Sequence, residues 1–430
     1  MGKVVILNSD VNCLNLQEME EKRGPVSGSP VEGKKRHIIL DALRGFAILG
    51  ICLANYPEFS LYTFLQPMAV ESMPSHGIDL LTKYLIYIFI DGKFYTIFSL
   101  LFGIGFSIIL ENNYKRGANG QLIFYRRMFY LLLIGFLHLM LIWSGDILML
   151  YAAVGLLLPL FRKAKDRTIL IWATVFLVMP VIVDYICEWT GIYLSRKLVE
   201  WQGLYCDRYG ITTDNFAYWL RDARTYGDVF KFLIQGSIER MSEFVDGNRY
   251  FKVAGLFLIG YIIGRNKMFA RLEAYKKPLR VVMGIGLMIG LPLSWLYAWS
   301  AISGKPWGLG AHSVLYLGSV YITSFGYIST LCYLYLKRSG AIVWKVLAYP
   351  GRMALTNYIL QSVLGMIIFY GIGFGLGADT GLFSTEWIAA GVYLFEVCLS
   401  WCWLQVFRFG PLEWVWRCLT YKRFYNPLAA

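Results

Sequence analysis

Runs of roughly twenty apolar residues, each long enough to cross the ~30 Å hydrocarbon layer of a bilayer, recur along most of this chain. They restrict its fold more than any other feature. Inside lipid only helices and closed barrels satisfy every backbone N–H and C=O. A barrel would show ten-residue alternating segments separated by turns, and no such series is present. The expected class is therefore all-α, a polytopic bundle of about ten membrane helices. The spans are read at 38–57, 93–111, 126–143, 146–161, 168–188, 250–264, 279–299, 312–336, 353–374 and 387–407. The fourth and sixth are short and lean on their flanks. Residues 79–91 form an amphipathic run expected at the interface.

The net charge of +13 sits between these runs. "KKRH" precedes the first span; Lys115, Arg116, Arg126 and Arg127 separate the second and third; "RKAKDR" separates the fourth and fifth. Ten spans put all these clusters on one side, whereas "SGD" at 144–146 and the segment 375–386 hold no basic residue. The positive-inside rule then places both termini in the cytoplasm. Basic residues distributed this way face anionic lipid and do not form a nucleic-acid surface. Residues 1–36 are polar, contain "GPVSGSP" and lack the apolar core of a signal peptide. They read as a flexible cytoplasmic tail before a bundle at 37–423, with 424–430 as a short cytoplasmic end. The aromatic, mixed-charge segment 189–249 reads as an outer-face cap.

Ionisable groups in hydrocarbon cost at least ~2.5–3.5 kcal/mol on insertion scales, so each calls for a partner or a purpose. On the cytoplasmic side, "LDALRGFAILG" holds Asp41 and Arg44 three apart, on one helix face. "GRMALTNYILQS" brings Arg352, Thr356 and Asn357 into the ninth span, with Gln361 one turn deeper on the face of Asn357. That stripe suits either an anionic ligand or interhelical hydrogen bonding. On the outer side stand Asn55, His138 and Asp146. Only "SG" and Trp143 part the end of the third span from Asp146, which forces a tight hairpin and keeps His138 and Asp146 at one membrane face. A carboxylate beside an imidazole fixes its tautomer and supports it as a base; the same pair would also lock a hairpin. Glu396, midway along the tenth span, needs a basic or hydroxyl partner that the sequence does not name. His76 reads as solvated, His312 as interfacial and His37 as part of the basic flank.

Several chemistries have no footing here. No P-loop, strand-borne GxGxxG, HExxH or GxSxG occurs, and none of the eight cysteines forms a CxxC pair. No metal site is expected. Cys398 and Cys402, four apart, read as small core residues. Gly260–Gly264 and Gly286–Gly290 have the GxxxG spacing of closely packed helices.

"LDALRGFAILGICLANY", "GKFYTIFSLLFGIGFSIIL", "GFLHLMLIWSGDILMLYAAVGLL", "GRMALTNYILQSVLGMIIFY" and "GPLEWVWRCLTY" occur in the order found in the YeiB family of bacterial inner-membrane proteins. The chain resembles that family from about residue 37 to about residue 423. The family is known mainly as a domain of unknown function and is distantly similar to the transmembrane acyltransferases, which include heparan-glucosaminide N-acetyltransferase. That likeness lies in the first span, at Asp41, Arg44, Gly45, Asn55 and Tyr56. It implies a multi-pass protein of the bacterial inner membrane that takes an acyl group from cytosolic acyl-CoA and delivers it to a hydroxyl or amine on the far side. In the heparan enzyme a catalytic His follows the Asn closely; here the next histidine is His76, and His138 is offered for the role from another helix. The expectation is an acyl-CoA site at Asp41, Arg44, Arg352, Asn357 and Gln361. His138 as base, Asp146 as its orienter and Asn55 as oxyanion donor act on a glycan or lipid-headgroup acceptor. Two other readings stand beside it: a transporter with His138–Asp146 as proton relay, and a non-catalytic membrane partner protein.

Overall fold

The computed structural model describes residues 37–428; the expected tail at 1–36 and the last two residues of the expected C-terminal end lie outside the described residues. Helix α1 (Ile38–Phe59) is followed by α2 (His76–Phe89), which runs across a short break into α3 (Lys93–Tyr114). A hairpin joins α4 (Gly120–Leu141) to α5 (Leu148–Gly155). Next come α6 (Asp166–Thr190), α7 (Arg196–Tyr209), α8 (Phe216–Asp222), α9 (Tyr226–Asp246) and α10 (Arg249–Arg265). The long α11 (Leu272–Ile302) and α12 (Gly308–Lys337) follow. The chain closes with α13 (Ile342–Arg352), α14 (Ala354–Phe369), α15 (Leu382–Val406) and α16 (Pro411–Tyr421). Among the described residues the β-structure amounts to one isolated bridge, Phe407 to Leu428.

Helical structure falls in each of the ten expected spans, but a count of ten is not confirmed. Among the described residues seven helices are long and apolar enough to cross a bilayer, with α2 and α3 taken as one, and α13 with α14 adds an eighth as a pair bent by 75°. The stretch at 146–161 yields only the eight-residue α5 and a 3-10 turn at Leu158–Phe161, where Pro159 lacks the N–H that would continue the α-helix. At 250–264 the 17-residue α10 carries Arg249, Lys252 and Arg265. The amphipathic run at 79–91 is the forward end of the α2–α3 span.

Glycines decide where helices cross. A Cβ on Gly45 or Gly351 would meet the backbone of Leu347 and Asp41 respectively, so α1 and α13 touch main chain to main chain. This contact brings the Asp41–Arg44 turn beside Arg352. Gly103 and Gly260 join α3 to α10 in the same way, through Phe257 and Leu100. Such close approach strengthens dispersion contacts where lipid supplies no hydrophobic drive.

The bend between α13 and α14 also has a local cause. Pro350 and Gly351 end α13, and Met353 leaves the helical region at φ −116°. The freed N–H groups of Leu355 and Thr356 donate to the Glu413 carboxylate of α16 at 2.7 and 3.1 Å, as the start of a helix requires. On α15 the buried face is Ala389, Val392, Glu396, Ser400 and Leu404. Cys398 and Cys402 lie two residues out of phase with it and are exposed, which corrects their reading as core residues.

Candidate functional site

The α4–α5 hairpin places His138 in the last turn of α4 and Asp146 just before α5. Imidazole Nδ1 lies 2.9 Å from Asp146 Oδ2, and both residues are buried to 1% exposure. The other carboxylate oxygen accepts the Met149 N–H at 2.8 Å, so the same side chain serves the start of α5 and orients the ring. Imidazole Nε2 faces Ser362 Oγ of α14 at 2.9 Å. With Asp146 ionised, Nδ1–H donates to it and Nε2 accepts from the serine hydroxyl. The result is an Asp–His–Ser line assembled from three segments. Tyr358 covers it: its ring centroid is 5.2 Å from that of His138, and its hydroxyl accepts the Ile147 N–H at 3.3 Å.

Two cavities flank this line. The first, of about 630 Å³, has a basic mouth: six Lys and Arg side chains against Asp41, Glu111 and Glu413. Arg44 holds Asp41 at 2.7 Å, and Lys115 and Lys267 share Glu111 at 2.6 and 2.5 Å. Arg127 stacks over Trp416 at 3.5 Å and Arg417 over Phe409 at 4.5 Å, which presents their guanidinium edges. Away from the Lys115 end of α3 and the Gly120 end of α4, the lining is apolar at Phe98, Leu101, Phe102 and Leu131.

The second cavity, of about 1050 Å³, carries charge of both signs. Asn55 and Glu58 of α1 line it, with Asp91, Asp184, Glu239 and Arg240 among others. Arg240 grips both oxygens of Glu58 at 2.9 and 3.1 Å and donates to the Ser144 carbonyl at 3.0 Å. That contact pins α9, from the expected cap segment, onto α1 and the hairpin. Burial together with Glu243 and Glu58 pushes the Glu239 carboxyl up to about 7.

Four side chains line both cavities: Ile51, Ile147, Tyr151 and Tyr358. They form a septum. One face of α1 runs past it, with Asp41 and Arg44 in the first cavity, Ile51 at the partition, and Asn55 and Glu58 in the second. Helical rise puts Arg44 and Glu58 each about 10 Å along the axis from Ile51.

The structure thus distributes the residues singled out in the sequence. Asp41, Arg44 and Arg352 share the first cavity and Asn55 lines the second. His138 and Asp146 pair, but behind Tyr358. Asn357 and Gln361 turn away from both cavities toward α15, where they donate to Ser400 Oγ at 2.9 Å and Glu396 Oε2 at 2.8 Å. Glu396 therefore has an amide partner where a basic or hydroxyl group was expected. The sequence reading missed Ser362, which carries no charge to mark it, and Glu58, Arg127, Arg240 and Arg417, which look like ordinary flanking charges. Arg127 and Arg417 could have been found from their aromatic neighbours on the basic side. Among the described residues no cluster of His, Cys, Asp or Glu could hold a metal ion.

Residues 263–423 match the family described as "Protein of unknown function (DUF418)". The chain is 30% identical to the uncharacterised protein YxaH of Bacillus subtilis over 409 residues, 93% of this chain and 98% of the relative. It is 30% identical to the uncharacterised protein YeiB of Escherichia coli over 414 residues, 90% of this chain and 97% of the relative. An uncharacterised 39.9 kDa protein from the amylase 3' region of Bacillus acidopullulyticus is 29% identical over 400 residues, 92% of this chain and 96% of the relative. No solved structure matches the chain.

Proposed function

We propose, from the premise that this chain belongs to the YeiB family, that it is a membrane-embedded acyltransferase. It moves an acyl group from cytosolic acyl-CoA to a hydroxyl or amine on the opposite side of the bacterial inner membrane. The observation that carries this reading is the pair of cavities with different chemistry meeting at a septum of four side chains. The basic mouth suits the phosphates of a coenzyme A, because planar guanidinium groups bind phosphate oxygens in pairs. The apolar depth suits an acyl chain. Arg44, Arg127, Arg352 and Arg417 hold the phosphates, and the apolar walls lead the thioester toward Tyr358. The mixed-charge cavity holds a glycan or lipid headgroup.

At the septum, His138 takes the proton of the attacking hydroxyl or amine on Nε2 once the Tyr358 ring swings aside and the Ser362 hydroxyl turns to its other acceptor, the Tyr358 carbonyl at 3.3 Å. Asp146 holds Nδ1–H and stabilises the imidazolium that forms. Asn55 donates to the oxyanion that develops on the acyl carbonyl. The CoA thiolate leaves toward the basic cavity and takes up the proton that His138 Nε2 holds, which returns the imidazole to its neutral form.

Purified protein supplied with radiolabelled acetyl-CoA and a membrane extract should release free CoA thiol and label an extract component. His138→Ala should lose about 10²–10⁴-fold of this activity with its thermal unfolding profile kept. Full transfer by His138→Ala would sink the assignment.

One observation favours a second reading, a transporter. The 75° break between α13 and α14 resembles the discontinuous helices that line transporter binding sites, and a thin septum between two cavities is also what alternating access needs. Substrate counterflow in proteoliposomes, with no covalent change and no thiol release, would decide for it.

A further inference from the structure

Beside the cavity-lining face of α1 lies a second polar cluster that the proposed reaction does not use. Asn357 and Gln361, one turn apart on α14, meet Ser400 and Glu396, one turn apart on the antiparallel α15. All four are buried, with Asn357, Glu396 and Ser400 at 0% and Gln361 at 2% exposure. From α1, Tyr56 donates its hydroxyl to the Gln361 backbone carbonyl at 3.3 Å, and the Cys52 thiol points to the Ala389 carbonyl at 3.5 Å. The titratable neighbours of Glu396 are Cys52 and Tyr56 on α1 and Tyr393 on α15, and Glu386 faces the same Cys52 from the start of α15. None of them is a cation.

The hydrogen bonding of this cluster is lopsided. Gln361 Nε2 donates to Glu396 Oε2. The other oxygens of the same two head groups, Gln361 Oε1 and Glu396 Oε1, have no hydrogen-bond partner, although both atoms are buried. These two acceptors are left with no donor, as is Asn357 Oδ1 one turn away, in a place where water is scarce and an unmet polar group is expensive. One proton repairs the Gln361 and Glu396 oxygens. Placed on Glu396 Oε1, it makes that oxygen a donor and gives Gln361 Oε1 the partner it lacks. The two head groups then form an acid–amide pair with one O–H···O and one N–H···O bond.

We infer that Glu396 with Gln361 is a proton-binding site between α14 and α15, holding Glu396 as a neutral carboxylic acid at neutral pH. The ligand is a single proton, and the site stands whether or not acyl transfer does. Its position gives it reach. Gln361 is the residue before Ser362, which holds His138 Nε2. Loss of the proton would place a bare carboxylate against α14, one residue from the Asp146–His138–Ser362 line.

Infrared difference spectroscopy of the full chain in lipid nanodiscs tests this. At neutral pH the wild type should show the C=O stretch of a protonated carboxylic acid, shifted in D₂O. Glu396→Gln should remove that band and keep the thermal midpoint within a few degrees, because a second amide supplies the N–H that the acid O–H supplied. If Glu396→Gln does not fold, Gln361→Leu carries the test: the acid band should persist and move to higher frequency as its partner is lost. An acid band indifferent to both substitutions, or only carboxylate bands, overturns the site. So does thermal stability of the wild type that rises with sodium and loses that rise in Glu396→Gln, since the acceptors would then hold a sodium ion.

Discussion

At the level of single residues, the eight-position spacing of His138 and Asp146 reports a real contact, because a hairpin of six connecting residues cannot keep the two apart. Ser362 was beyond reach: a neutral hydroxyl in an apolar helix costs little and leaves no mark until the third dimension brings it to the imidazole. Its role can be separated from packing. Ser362→Ala should leave the fold intact, since it removes one oxygen, and should lower transfer less than His138→Ala does, because Asp146 still orients the ring. Equal losses in the two variants, measured with radiolabelled acetyl-CoA, would mean that the serine itself reacts. Glu239 yields a second expectation. Its carboxyl is held up to about 7 by burial and by Glu243 and Glu58, against the opposing pull of Arg240. A carboxyl raised on folding binds its proton more tightly in the native state, so the stability this lends is present below the ordinary glutamate range and is lost as pH climbs through 7. Glu239→Gln should therefore unfold at the same temperature as wild type near pH 4 and at a higher one at pH 8. Parallel melting curves across that range would contradict the cause given for the shift.

Helices were legible where apolar length alone decides, as in α1, α4, α6 and α15. They were misjudged where length is marginal, because Pro159 cuts one apolar run short and charged ends shorten another. The sequence reading began a span at 353 without expecting a bent pair, although Pro350 and Gly351 are residues that interrupt a helix. What the sequence could not convey is that the bend leaves donors for Glu413, whose partner segment lies 57 and 58 positions away. The crossing of α1 and α13 carries a prediction at this scale. The neighbour of Gly351 is the Asp41 backbone carbonyl, which cannot rotate away as a side chain would. Gly351→Ala should overpack the crossing at a cost of about 1–3 kcal/mol. It should also weaken binding of CoA, since Arg44 and Arg352 are spread apart. Calorimetric titration of CoA together with a melting curve checks both. An unchanged affinity in a folded variant would mean that this crossing does not position the basic mouth.

For the whole molecule, the arrangement that matters is one that composition and periodicity cannot express. Asp41, Arg44, Ile51, Asn55 and Glu58 can be placed on one face of α1 by counting, but only the packing shows that this face threads two separate spaces. Nor could spacing tell that Asn357 and Gln361 turn toward α15 while Tyr358 and Ser362, one position on, turn toward the hairpin. That quarter-turn divides one polar stripe between a buried seam and the septum. The septum is narrow, and a larger side chain at Ile51 fills it from α1 without touching the basic mouth about 10 Å away along the axis. Ile51→Trp should therefore leave CoA affinity within about twofold, a change under ~0.5 kcal/mol, while transfer to the acceptor falls steeply. A variant that loses CoA binding as well would place the two cavities in one continuous site. A folded variant that transfers at the full rate would show that the acyl group does not pass between Ile51 and Tyr358, and the two-cavity route would fall with it.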